Sequence, residues 1–436
     1  MQRLLYGLFV ISGAMLFVLN NELLDVLGWS FSSESGPFLT KIHPATYLLL
    51  VTALLALLTK PYPVLRAMSD KIFLFYILAT MILFVRSVIM VMQGFSGGEV
   101  GTVITNFFTP ILILLVAACI RPENLADLSV PLRLFFVVNS AMALAERVIG
   151  HRIIPNPMDI YADPRSAALV HHPLNGSLLT GLIIVFLVSA RRKTESAAIR
   201  ISELALHGVA MFAFGGRSAL VFTAMTLLLS SATASNRAGQ LRISGLQRAL
   251  PILIIALGFC LVMLPIDFID ATLDRFTNDK NSAQQRNAAF DIIGTMTQSE
   301  FLWGMNVFDR LRLMDFFGSF AIEISWLALI MSFGLIATLP MMVAFPMQLY
   351  AMARRLDRSA MFMSLLFFVV TIGSLAIGVK TPLVCEFFLM LLVLCQRQQS
   401  LVTALIRQGG GAPFDPEPDV MRQRLSGDSV RRRTTR

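Results

Sequence analysis

The sequence predicts an all-α polytopic membrane protein of about 12 transmembrane helices. Three observations carry this. Hydrophobic residues make up 56% of the 436 positions and charged ones only 14%, against about 25% in soluble domains. The mean hydropathy is +0.71. Apolar runs of about 17–25 residues, the length that crosses a bilayer, recur along nearly the whole chain.

Twelve spans are expected, near 4–20, 45–59, 72–93, 102–120, 129–148, 168–190, 201–214, 218–234, 250–269, 322–346, 359–377 and 383–396. The first follows Arg3 and has no small-residue cleavage site behind it, so it reads as a retained helix and not a removed signal peptide. The spans 45–59 and 201–214 are short. A cytoplasmic N-terminus places Lys60, Arg66, Lys71, Arg121, Arg191, Arg192, Lys193 and the arginines after the last span inside, together with most of the 36 basic residues. The positive-inside rule therefore puts both termini in the cytoplasm. One membrane domain, 1–398, precedes a basic tail, 399–436, whose Gly, Pro and Arg content reads as disordered. The net charge of +9 is accounted for by topology and tail, not by a nucleic-acid surface. The four cysteines lie in or beside spans, which excludes a disulfide framework and a CxxC metal pattern.

The polar chemistry gathers on the outer side, in 21–44, 149–167 and the long loop 270–321. Ser282 and Gln285 form a capping-box pattern that starts a helix in this loop. Phe290, Ile293 and Met296 give it an apolar face expected to lie on the membrane. Arg286 falls in its first full turn, either hydrated among headgroups or turned toward a polar cavity.

Arg217 follows Gly215-Gly216 between two apolar runs. It is either an interface anchor, its charge snorkelling to water, or a bidentate phosphate ligand approached closely over the glycines. Arg165, His171, His172 and Asn175 stand at the mouth of the sixth span. His171 and Asn175, four apart, share a helix face, and His172 precedes a proline that biases it to extended backbone. These histidines suit a base, a phosphate donor or a structural hydrogen-bonding group. Glu323 opens the tenth span, as a general base or as one half of an ion pair with Arg217 or Arg286. Arg86, deep in the third span, either extends the cationic site or pairs with Glu146. No ligand spacing for a metal is present.

Three segments in order resemble the O-antigen ligase and O-antigen polymerase superfamily: RSAALVHHPLNGSLLTG, FGGRSALVFTAMTLLL, and SAQQRNAAFDIIGTMTQSEFLWGMNVF followed by EISWLALIMSFGLIATL. They cover roughly 165–340. The resemblance implies a multi-span, GT-C-like, inverting and metal-independent glycosyltransferase of the bacterial inner membrane, with no cofactor and a large periplasmic loop. Its donor would be an oligosaccharide on undecaprenyl diphosphate, and Arg217 and Arg286 would hold the diphosphate. A chain-length regulator and a flippase of the same pathway would be its partners. Ligases carry a histidine at the start of the tenth-span segment. Here the positions read Glu323, Ile324, Ser325, Trp326, Leu327, which favours a polymerase of exopolysaccharide or O-antigen over a ligase acting on lipid A. Glu323 is then the first candidate base, and His171 or His172 the second. A lipid-linked oligosaccharide flippase is the alternative from another class.

Overall fold

The computed structural model describes residues 1–31, 38–93, 98–154, 165–170, 172–190, 196–235, 282–318, 322, 324–374 and 377–396, with backbone alone at 22, 38, 231–235 and 282–286. The chain divides into two units, Met1–Gln396 and Arg397–Arg436. The second, with the expected tail, lies outside the described residues. So do the expected span 250–269, Cys260, His171, Glu323 and the Arg286 side chain.

All regular structure among the described residues is helical. The helices are α1 (Gln2–Val18), α2 (Asn21–Val26), α3 (Pro44–Thr59), α4 (Pro61–Met68), α5 (Lys71–Met92), α6 (Gly98–Val103), α7 (Thr109–Ala117), α8 (Pro122–Asp127), α9 (Ser129–Ile149), α10 (Pro173–Ser189), α11 (Ala197–Phe214), α12 (Arg217–Ser235), α13 (Ser282–Thr295), α14 (Gln298–Trp303), α15 (Val307–Phe316), α16 (Ser325–Phe333), α17 (Leu335–Arg355), α18 (Arg358–Ile372) and α19 (Leu383–Leu394). A π-helical stretch, Ile104–Phe108, joins α6 to α7. Among the described residues, five helical segments are long and apolar enough to cross a membrane, or six if the bent pair α3–α4 counts as one span. Five shorter apolar helices accompany them. The protein is a helical membrane protein.

Local chemistry sets the helix ends. Asp70 caps α5, accepting from Ile72 and Phe73 N–H at 3.1 and 3.0 Å, and Arg355 at the end of α17 closes on the same carboxylate. Asp357 caps α18 through Ser359 N–H at 2.8 Å. Pro61 restarts the chain after Lys60, and α4 turns 109° from α3. Long helices run alternately between two ends of the bundle. The near face holds Met1, Lys60, Asp70 and Arg355; the far face holds His43, Gly98, Pro173 and Arg217.

The core is aromatic and centred on Phe345. Its ring lies 6.3–6.5 Å from Tyr76, Phe107, Trp326, Phe367 and Phe388. The central helix is α10, buried along nearly all its length. Lipid tails are as apolar as leucine, so close approach rather than hydrophobicity joins helices here. Small residues supply it: a Cβ on Gly181 would stand 2.4 Å from Thr223 Oγ1, and one on Gly216 2.5 Å from Ser177.

Two expectations change. The apolar run 322–346 is not one span. It breaks at Gly334 (φ 82°), and α16 folds back along α17 until Trp326 meets Phe345. At 1.5 Å per residue Phe345 is about 15 Å down α17, so α16 rises from mid-depth to the far face. The loop helix starts at Ser282 as expected, but its packed face differs. Ala289 and Ile292 are buried against Ile322, Ala328 and Met331, with Ile293 and Met296 of the expected face partly buried beside them, while Phe290 is 59% exposed.

Candidate functional site

The far-face end of α9 organises the region that the sequence singled out. Buried backbone donors in an irregular segment must find acceptors, and two side chains of α9 provide them. Glu146 Oε2 accepts from Ala167 and Ala168 N–H at 2.9 and 3.0 Å, and Oε1 accepts from Ile153 N–H at 3.0 Å. Asn139 Oδ1 accepts from Leu169 and Val170 N–H at 3.0 and 3.2 Å. Ala168 has φ 48°, a left-handed residue that turns successive N–H groups to one side and makes an anion-binding concavity. Glu146 fills it. Ser166 ties the segment to Ala143 O at 2.6 Å and to Ala213 O at 3.3 Å, and Asn20 reaches Leu169 O at 3.1 Å.

That segment delivers Arg165 and His172. Arg152 donates through Nε to Arg165 O at 3.0 Å. His172 stands just ahead of α10, with Pro173 at its first position. Burial first, then the Arg165 and Arg152 charges, lower its pKa from 6.5 to about 4. The ring is therefore neutral at pH 7, and its Nδ1 is buried with no hydrogen-bond partner among the described residues. A ring held at that value is a weak proton acceptor and a competent neutral hydrogen-bonding group.

Arg217 opens α12. Gly215 ends α11 at φ 67°, and Gly216 lies against Ser177, whose Oγ donates to Gly216 O at 3.3 Å. Gly176 is as tightly fitted against the Phe214 ring. The N-termini of α10 and α12 thus stand side by side at the far face, each bringing the positive end of a helix dipole. Arg217, Arg165 and Asn175 are all partly buried there. The fold brings Arg165, His172, Asn175 and the Arg217 turn to one end of α10. The shared chemistry is that of an anion site.

Arg86 stands elsewhere. It leaves α5 to donate to Trp303 O, while the Glu146 carboxylate is engaged by backbone N–H groups, so the two do not pair. Arg310 bridges Glu99 at 2.9 Å and reaches Ser332 on α16. Reading the sequence missed Asn139 and the role of Glu146. Their spacing of seven, two helical turns, was the available signal, but their partners are main-chain groups that no motif marks. No group of three His, Cys, Asp or Glu side chains that could hold a metal occurs among the described residues.

No protein-family model, no curated protein and no solved structure matches this chain.

Proposed function

We propose that the protein is a polysaccharide polymerase. It transfers a glycan from undecaprenyl diphosphate to a lipid-linked repeat unit at the periplasmic face of a bacterial inner membrane, across which the chain passes twelve times with 270–321 outside. The observation that supports this best is the paired N-termini of α10 and α12, with Arg217 opening one and Arg165 and His172 ahead of the other. Glycosyl transfer from a diphosphate builds negative charge on the leaving oxygens. Fixed cations and helix N-termini in a water-poor site stabilise that charge without reorganising. Arg217 and Arg165, with Arg286 from α13, hold the diphosphate; neutral His172 and Asn175 orient it; and Glu323 is the candidate acceptor of the hydroxyl proton. No cofactor takes part. The upstream partner is whatever delivers lipid-linked units to the outer leaflet, and a chain-length regulator would act on the product.

The test uses the full chain in liposomes carrying lipid-linked repeat units. Wild type is expected to produce a ladder of longer glycans. Arg217→Ala is expected to lower the rate about 10²–10³-fold, the usual loss on removing one charge-stabilising donor. Wild-type rates in Arg217→Ala and Arg165→Ala together would defeat the reading.

A second reading has its own observation. The half-helix α16, starting at mid-depth, and the π-helical stretch at 104–108 are broken elements of the kind that transporters place at their binding sites. Lipid-linked units offered on one side only separate the two. Relocation without elongation marks a flippase.

A further inference from the structure

Glu386 is 4% exposed in the first turn of α19. Its carboxylate makes no hydrogen bond or ion pair among the described residues. An ionisable group at membrane depth is costly to keep unless it faces partners or a working cavity. Arg133, by contrast, is matched by Glu203 at 2.7 Å, and Glu146 by three N–H groups.

Its direction follows from its neighbours. Cys385 meets Thr105 O at 3.1 Å. Phe387 stacks on Phe367 at 3.9 Å, and Phe388 lies on Tyr76 and Phe345. Leu389 borders Gly13 of α1. At 3.6 residues per turn these occupy the sides toward the π-helical stretch, α18, α5 with α17, and α1. α9 and α10 also pack against α19, and the sector left to Glu386 is theirs. α8 touches α19 too, but at the near face, where α19 ends. Depth agrees. Gly13 lies five residues before the end of α1, and Glu386 is about 4.5 Å, one helical rise of three residues, above Leu389. That puts it level with the last turn of α1, beyond which Asn20 bonds Leu169 O. Leu169 belongs to the segment that carries Arg165 and His172.

We infer that Glu386, in place of the sequence candidate Glu323, is the proton acceptor for the incoming sugar hydroxyl, an inference that rests on the transferase reading. The hydroxyl gives its proton to the Glu386 carboxylate as its oxygen bonds the anomeric carbon from the side opposite the diphosphate. The anomeric carbon–oxygen bond breaks, and its electron pair leaves on the diphosphate, beside Arg217 and Arg165. The carboxylic acid then returns the proton to water. The neutral, low-basicity His172 takes no part in that transfer.

The test compares wild type, Glu386→Gln, Glu386→Asp and an exposed control, Glu123→Gln, in liposomes with lipid-linked repeat units. Glu386→Gln is expected to lower kcat about 10²–10⁴-fold, the range of general-base catalysis, with KM for the donor within about threefold. Glu386→Asp, which keeps the carboxylate if Gln prevents folding, is expected to recover part of kcat. Glu123→Gln is expected to match wild type. Full kcat in Glu386→Gln, or a Glu386→Asp no better than Glu386→Gln in folded protein, overturns the role and leaves the transferase standing. No elongation by wild type overturns the transferase itself. A carbodiimide adds a readout that does not depend on elongation: it is expected to modify Glu386, and added lipid-linked unit to slow it. Modification at an unchanged rate overturns the placement of Glu386 in the site.

Discussion

His43 shows how far one side chain fixes the local chemistry. It precedes α3, fully buried, with Nδ1 accepting Ala45 N–H at 3.2 Å and Nε2 donating to Leu19 O at 2.8 Å. Both nitrogens are committed to one tautomer, and the Phe31 ring closes the third side at 5.6 Å. Burial lowers its pKa from 6.5 to about 4, against the opposing pull of the Leu19 bond. The unfolded chain therefore takes up a proton between about pH 6.5 and 4 while the folded one does not. Stability is full above that window and is lost as pH falls through it, by roughly 3 kcal/mol at most for a shift of this size. His172 titrates over the same range, so His43 is not the sole source of such a loss in wild type. His43→Asn keeps a capping oxygen and cannot titrate. Melting in detergent from pH 7.5 to 4.5 is expected to show a smaller drop for His43→Asn than for wild type; equal drops would refute it. Nothing in the sequence marks His43, because both partners are main-chain atoms.

At the scale of elements, the loop helices are clasped to the bundle by two glycines. Gly304 and Gly334, both with φ above 80°, press backbone on backbone. A Cβ on Gly334 would stand 2.3 Å from Leu302 O, and one on Gly304 2.4 Å from Ser332 O. Met305 N–H donates to Met331 O at 2.8 Å beside them. Gly334→Ala is expected to cost about 1–3 kcal/mol for the positive-φ, extended backbone alone, with the clash added. Gly294→Ala meets open space inside α13 and is expected to be stabilising by about 0.5–1 kcal/mol. Melting temperatures of the two variants check the contrast: a fall for the first and none for the second. These elements also mark the limit of what the chain discloses by itself. Hydropathy shows ISWLALIMSFGLIATL as one run because both arms of the α16–α17 hairpin are apolar; the glycine at its tip is the sole break. The packed face of α13 departs from its apolar spacing at Phe290 alone, since Ile293 and Met296 do pack. Side-chain size favours Phe290 as the anchor, whereas the close fit to α16 takes the small Ala289.

For the molecule as a whole, most exposed cations lie on the near face, with exposed Arg312 on α15 at the far face and buried Arg133 at the start of α9 as exceptions. On the near face Arg66, Lys71, Arg121, Arg354, Arg355 and Arg358 are exposed. On the far face Lys41 is 2% exposed, and Arg152, Arg165, Arg217, Arg310 and Lys380 are partly buried. Solvated charge near span ends sets orientation; charge held inside protein at membrane depth does chemistry or pairs. Arg165 and Arg217 stand out in the sequence because a cation is conspicuous in so apolar a chain, whereas Glu146, Asn139 and Glu386 gain meaning only from neighbours distant in sequence. The proposed topology puts the near face in the cytoplasm and the far face outside. Asp309 on α15 is exposed at the far face, and Glu123 on α8 at the near face. Cys119, Cys385 and Cys395 are buried, so with Cys260 replaced by Ser an introduced cysteine is the reactive one. In intact cells a membrane-impermeant maleimide is expected to label Asp309→Cys and to spare Glu123→Cys until the membrane is opened. Labelling of both before opening, or of Glu123→Cys alone, would reverse or break the assigned orientation, and with it the placement of the Arg217 end on the outer side.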